Sequence, residues 1–111
     1  MSFRRSKSDV RDTRKWHEFF SQNESLIEAA TLSLSIVADE RHWMYFLEHG
    51  TLYPEDDFFC VDDLNESQMG ALIELTARYF ESFNCPYFDP VAFGHTRYFV
   101  MLRRRLGQPE T

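Results

Sequence analysis

The segment from Asn65 to Phe83 carries the strongest structural signal in this sequence of 111 residues. Asn65, followed three positions later by Gln68, has capping-box spacing, in which two side chains satisfy backbone groups at a helix start. Residues suited to a buried face then recur every three or four positions, which is the period of a helix. These residues are Met69, Leu72, Ile73, Thr76, Phe80 and Phe83. The segment therefore predicts a helix of four turns that buries one side.

Weaker signals of the same kind predict two helices ahead of residue 38. Ser8 or Asp9 can cap a first helix that ends near Asn23, with Trp16, Phe19 and Phe20 at the spacing of one helix face. The spacing of Ser25 and Glu28 predicts a capping box for a second helix. Its buried face would carry Ile27, Ala30, Leu34 and Val37. Residues 32–36 alternate apolar residues with serine, so a short extended segment remains open there.

Two further helices are predicted on either side of the central one. Asp39 can cap a helix that ends at Gly50 and buries Trp43, Phe46 and Leu47. Asp89, followed by Pro90, is typical of the start of a last helix. That helix would turn Val91, Tyr98 and either Met101 or Leu102 inward, with Arg103–Arg105 in its final turn, where positive charge complements the helix dipole.

These segments together predict an all-α fold, a compact bundle of about five helices in a single domain. We expect the helical domain to span residues 8–106. A basic flexible tail would precede it at residues 1–7, and a C-terminal tail would follow it at residues 107–111, so both termini are expected to be short and disordered. The predicted core consists of Trp16, Phe20, Trp43, Phe46, Leu47, Leu72, Ile73, Phe80, Tyr98 and Leu102.

Aromatic residues are abundant, at 16% of the sequence. Several of them fall off the predicted buried faces: Phe19, Tyr45, Tyr53, Tyr79 and one of Phe58 or Phe59. If they share one exposed patch, that patch is typical of a protein interface, and a symmetric homodimer is the commonest result. Association of this kind would be mainly apolar and would persist at high salt.

The formal net charge of −6 is unevenly distributed. A candidate acidic patch for binding a basic partner consists of Glu55, Asp56, Asp57, Asp62 and Asp63. A candidate basic arm consists of Arg4, Arg5, Lys7, Arg11, Arg14 and Lys15. Next to Trp16, this arm could combine phosphate contacts with base stacking, although an acidic chain is a poor general ligand for nucleic acid.

Motifs for chemistry are missing from the sequence. It has no nucleophile motif, no phosphate-binding glycine loop and no metal-ligand spacing, so we expect no catalytic residues, no cofactor and no metal site. The longest apolar runs, such as Trp43–Leu47, are far shorter than the ~20 residues that a membrane-spanning helix requires. The sequence contains only two cysteines, Cys60 and Cys85, which is typical of reduced thiols in a cytoplasmic protein.

These observations predict a helical protein-interaction or accessory module without catalytic activity, with self-association as one form of the interaction. The protein partner itself is not identified by any motif. The alternative is a nucleic-acid-associated regulator that uses the basic arm.

Overall fold

Five α-helices, α1 to α5, and two 3₁₀ turns make up most of the described chain. The computed structural model describes residues 13–30, 36–51, 60–84 and 91–107, which are 76% helical and contain no strand. The helices are α1 (Thr13–Gln22), α2 (Glu24–Ala29), α3 (Glu40–His49), α4 (Glu66–Ser82) and α5 (Arg97–Arg105). The first 3₁₀ turn is Val61–Asp63 and the second is Val91–Phe93. The predicted all-α bundle is therefore confirmed.

Several predictions fall on residues outside the described ranges. They concern the tail at residues 1–7 and the tail beyond Gly107, the caps at Ser8, Asp9 and Asp89, the proposed extended segment at residues 32–35, and the side chains of Leu34, Tyr53, Phe58, Phe59 and Cys85.

Helix α4 is the central element, because it contacts each of the other four helices. Helices α2 and α5 pack against it. The Tyr79 ring of α4 reaches α1 and α3, with centroid distances of 6.1 Å to Trp16 and 5.9 Å to Trp43. Phe83, just after α4, lies 5.6 Å from the Phe19 ring. A helix surrounded in this way is buried on more than one face.

This surrounding explains where the predicted core is right and where it is wrong. Nine of its ten residues are buried: Trp16, Trp43, Phe46, Leu47, Leu72, Ile73, Phe80, Tyr98 and Leu102. Phe20 is only half-buried, while Phe19 is 5% exposed. Tyr79, predicted to lie off the buried face, is completely buried. Both corrections reflect one cluster of rings, since Trp16 and Phe19 stack at 5.5 Å and each lies 6.1 Å from the ring of Tyr79.

The helix caps predicted at Asp39 and Asn65 are both confirmed. The Asp39 carboxylate accepts a hydrogen bond from the His42 backbone N–H at 3.0 Å. The Asn65 side chain accepts from the Gln68 N–H at 2.8 Å, and the Gln68 side chain accepts from the Asn65 N–H at 2.9 Å. Gly50 ends α3 with φ 75°, the left-handed conformation predicted for a glycine stop.

The predicted capping box at Ser25 is wrong, because α2 already begins at Glu24, ahead of Ser25, and follows α1 almost directly. Asn23 alone separates the two helices, and its side chain makes no cap hydrogen bond to α2. Instead its amide donates to the Phe19 carbonyl at 2.8 Å, and its oxygen accepts from Arg78 Nη1 at 2.9 Å. Asn23 therefore joins the α1–α2 corner to α4.

The start of the last helix also differs from the prediction. Residues 91–93 form the second 3₁₀ turn, and α5 begins only at Arg97, where the Thr96 hydroxyl accepts a hydrogen bond from the Phe99 N–H at 3.2 Å. Val91, predicted to face inward, is 95% exposed. Of the two alternatives near the end of α5, Leu102 is the buried residue, and Met101 is 39% exposed.

Replacing Asn65 by alanine is expected to lower the free energy of unfolding by about 1 kcal/mol, because the first-turn N–H of Gln68 loses its acceptor. Urea denaturation measures the change. Asp63 is the control, because it precedes the cap and is exposed, so Asp63→Ala is expected to be close to neutral. A loss at Asp63 with none at Asn65 would contradict the assigned cap.

Candidate interaction surface

The predicted acidic patch is described only in part. Asp62 and Asp63 are exposed in the first 3₁₀ turn, whereas Glu55, Asp56 and Asp57 lie outside the described residues. This turn packs against α5. The contact is fixed by Arg97, whose Nη2 donates to the backbone carbonyl of Leu64 at 2.8 Å. The two described acidic side chains therefore lie beside the first residue of α5.

The predicted basic arm is also described only at its end. Arg14 and Lys15 are exposed on α1, while Arg4, Arg5, Lys7 and Arg11 precede the described residues. Lys15 Nζ lies 4.7 Å from the centroid of the Phe83 ring, a cation–π contact within the molecule. Trp16 is buried, so its ring is not available for stacking on a base.

Helix α5 presents a basic surface that the sequence analysis did not identify. Its sequence contains four arginines and no acidic residue. We define the α5 face as the four exposed residues of this helix: Arg97, Met101, Arg104 and Arg105. In the sequence, the signal that could have revealed it is Met101 close to Arg97 and Arg103–Arg105, because methionine and arginine are enriched in protein interfaces. From the sequence, Arg103–Arg105 are predicted only to complement the helix dipole.

One carboxylate balances part of this charge. Glu74 of α4 accepts hydrogen bonds from Arg78 Nε at 3.1 Å and from Arg105 Nε at 3.2 Å. The hydrogen bond from Arg78, together with that from Arg105, lowers the pKa of the Glu74 carboxyl despite some burial. Two guanidinium groups share one carboxylate, so this end of the α5 face keeps a net positive charge.

Several polar groups inside the bundle have structural partners. The Tyr79 hydroxyl donates to Glu40 Oε2 at 2.7 Å, and both residues are buried. The hydroxyl proton of Thr76 goes to the Leu72 carbonyl, so the Tyr98 hydroxyl donates to Thr76 Oγ1 at 2.7 Å. These hydrogen bonds link neighbouring helices within the core and satisfy the polar groups that take part in them. The buried Trp43 Nε1 has no hydrogen-bond partner among the described residues.

Asp39, the cap of α3, is the second residue whose carboxyl has a shifted pKa. Partial burial acts to raise the pKa of Asp39, but it is outweighed by the hydrogen bond from the His42 backbone N–H and by the nearby His42 and Arg41 side chains. The net effect is a lowered pKa. His42 Nδ1 lies 2.9 Å from Asp39 Oδ1, which makes this pair part of the cap.

A shallow depression of about 270 Å³ is lined by Arg14, His17, Glu18, Ser21 and Gln22. All five lie on the outer side of α1, so it is a feature of one helix surface and encloses nothing. No three His, Cys, Asp or Glu side chains of the described residues are grouped to hold a metal ion. Cys60 carries a free, half-buried thiol.

In the part of the chain that the structure describes, no helix has both the length and the apolar character needed to cross a bilayer. Comparison with known protein families, with curated proteins and with solved structures finds no match to this chain.

Proposed function

We propose that this chain is a protein-interaction module without catalytic activity and that its partner binds the α5 face. One observation carries the proposal: exposed arginines surround an exposed Met101 on a helix that holds no acidic residue. Arginine and methionine are enriched in protein interfaces relative to the remaining surface. The proposal includes a cytoplasmic location, which the low cysteine count of two in 111 residues supports.

The burial of the large aromatic residues further supports an interaction through α5. Phe19 and Tyr79, two of the residues expected to form an aromatic patch, are core residues, and Tyr45 is half-buried with its ring 4.3 Å from His49. Val91 and Met101 are the large apolar side chains exposed among the described residues. Of these two, only Met101 lies within a charged surface.

The alternative, a nucleic-acid-associated regulator, gains less support. Stacking on bases requires exposed aromatic rings beside the positive charges. Next to Arg14 and Lys15, the rings of Trp16 and Phe19 are buried, and Phe20 is half-buried. The exposed acidic residues Asp62 and Asp63 also belong to the turn that packs against α5, and their charge disfavours phosphate near that turn.

Co-purification with matched variants tests the proposal. The bait is the full chain, compared with Met101→Asp and, as a control for a charge change elsewhere, Arg14→Glu on α1. We expect a protein, which can be another copy of this chain, to be retained by the parent and the control and lost with Met101→Asp. An identical set of retained proteins for all three baits would contradict the proposal.

A salt series with duplex and single-stranded nucleic acid tests the alternative. Phosphate contacts weaken steeply as salt rises. We expect no binding at physiological salt. Binding that falls steeply with salt and is lost in Arg14→Glu would instead favour the regulator.

A further inference from the structure

Two arginines from different helices, Arg78 of α4 and Arg105 of α5, converge on one carboxylate. The Glu74 oxygens accept from Arg78 Nε at 3.1 Å and from Arg105 Nε and Nη2 at 3.2 and 3.4 Å. Both arginine side chains are nonetheless nearly half exposed, at 48% and 44%. Two positive charges and one negative charge leave a net charge of +1. We call these three residues the double-arginine site.

The double-arginine site keeps hydrogen-bond donors in reserve. A guanidinium carries N–H groups on Nε, Nη1 and Nη2, arranged in a planar fork. Arg78 uses Nε for Glu74 and Nη1 for Asn23, whereas Arg105 uses Nε and Nη2 for Glu74. Among the described residues, Arg78 Nη2 and Arg105 Nη1 therefore have no acceptor. Both groups can donate to a further anionic oxygen.

The two guanidinium groups are held in place by the fold itself. The Asn23 side chain, only 5% exposed, accepts from Arg78 Nη1 at 2.9 Å and ties this guanidinium to the α1–α2 corner. The Glu74 carboxylate fixes both arginines. Side chains that are fixed in advance lose less conformational entropy when a partner binds, so part of the cost of association is removed.

Met101 gives the double-arginine site an apolar neighbour. Residues four positions apart share one side of a helix, with about 5–6 Å between their Cβ atoms, so Met101 lies next to Arg105. Met101 is 39% exposed. The surface therefore combines an apolar contact with positive charge and free N–H donors.

We propose that the double-arginine site binds a carboxylate of the partner protein, while an apolar side chain of the same partner segment covers Met101. The contacts with Glu74 already bring both guanidinium groups onto one planar carboxylate, and charge-assisted hydrogen bonds of this kind are among the stronger ones. The net positive charge disfavours a basic partner. This inference rests on the proposed function and adds to it Arg78, which lies outside the α5 face.

A peptide titration of the full chain tests the site. Residues two positions apart in an extended peptide lie on one side, about 7 Å apart, which is close to the spacing of Met101 and Arg105. The probe is therefore acetyl-Ala-Leu-Ala-Glu-Ala-amide, compared with peptides that carry glutamine or phosphoserine instead of glutamate. NMR signals of the arginine Nε–H groups report binding. We expect the glutamate peptide to move the Arg78 and Arg105 signals and to bind about fivefold or more tightly than the glutamine peptide.

Three variants distinguish binding from a purely structural ion pair. Arg78→Gln removes one guanidinium, so we expect the affinity for the glutamate peptide to fall about fivefold. Glu74→Gln keeps an acceptor oxygen but removes the competing negative charge, so we expect the affinity to rise about threefold. Arg41→Gln is the control, since its side chain lies on α3 and is 81% exposed, and it should bind like the parent. A structural role alone would not produce opposite effects at Arg78 and Glu74.

The backbone amide spectrum shows whether each variant is folded, and the Glu74→Gln result decides the question if Arg78→Gln unfolds. The inference fails if the glutamate peptide moves neither arginine signal at tens of millimolar, if the glutamine peptide binds equally well, or if Glu74→Gln weakens binding. A phosphoserine peptide that binds more than about tenfold tighter than the glutamate peptide would overturn the assignment to a carboxylate.

The co-purification experiment separates this inference from the proposed function when Arg78→Gln is added as a bait. A partner lost with both Met101→Asp and Arg78→Gln supports both. A partner lost with Met101→Asp but retained by Arg78→Gln would leave the proposed function standing and overturn the double-arginine site.

Discussion

Replacing Phe46 by alanine is expected to lower the free energy of unfolding by about 3–5 kcal/mol, the usual cost of removing a buried aromatic ring. The Phe46 side chain is completely buried in α3. Its ring lies 5.8 Å from the Trp43 ring and 5.4 Å from the Phe93 ring of the second 3₁₀ turn. The cavity would thus open where α3 meets the segment that leads into α5. A loss of this size is a large part of the 5–15 kcal/mol that stabilises a typical domain.

Urea denaturation of the parent and the variant measures this loss. Tyr45 provides the control, because it precedes Phe46 on α3 but is only half-buried. Tyr45→Ala changes helix propensity similarly and is expected to cost about 1 kcal/mol. Equal losses for the two variants, or a loss below about 1 kcal/mol for Phe46→Ala, would show that α3 does not bury the face assigned to it.

Replacing Gly50 by alanine is expected to cost about 2–4 kcal/mol, from two additive causes. Gly50 has φ 75°, and a left-handed conformation costs a residue with a Cβ roughly 1–2 kcal/mol. The added Cβ would also lie 2.9 Å from the Cβ of Ala92, so α3 and the second 3₁₀ turn would have to separate. Thermal and urea unfolding of the variant measure the sum of both effects.

Two other glycines separate these causes. Gly107 has φ 76° but no atom within 4 Å of an added Cβ, so Gly107→Ala isolates the backbone cost of about 1–2 kcal/mol. Gly70 has equally open surroundings within α4 and an ordinary helical conformation. Gly70→Ala should therefore stabilise the chain by roughly 0.5–1 kcal/mol. A Gly50→Ala variant no less stable than Gly107→Ala would contradict the close approach to Ala92.

Features encoded within a few residues could be predicted from the sequence. The capping box of Asn65 and Gln68, the cap at Asp39 and the stop at Gly50 each depend on groups at most four positions apart. Such local hydrogen bonds and backbone conformations do not depend on what the helix packs against. The structure contains all three. The helices that carry the largest part of the core were therefore predictable.

Features that depend on distant partners could not be predicted. Asn23 differs from an ordinary cap because its side chain bonds to Arg78, 55 positions away. Tyr79 lies off the apolar row of α4, yet it is buried because α1 and α3 cover that side. A single buried face is a sound assumption for a helix at the surface of a bundle. It fails for α4, which has neighbours on several sides.

The same limit applies to the candidate interaction surface. Arg103–Arg105 could be recognised in the sequence as a basic helix end. The position of Asp62 and Asp63 at the opposite end follows from the hydrogen bond between Arg97 and the Leu64 carbonyl. That contact joins residues 33 positions apart, so the approach of this acidic turn to α5 becomes visible only in three dimensions.

The central position of α4 sets an order of events during synthesis. A ribosome makes α1, α2 and α3 before α4, and chains grow at roughly 5–20 residues per second. Until α4 emerges, the rings of Trp16, Phe19 and Trp43 lack Tyr79, the ring against which all three pack. Folding can therefore be completed only after most of the chain has been made, and a product that stops before Glu66 would display those rings to chaperones and proteases.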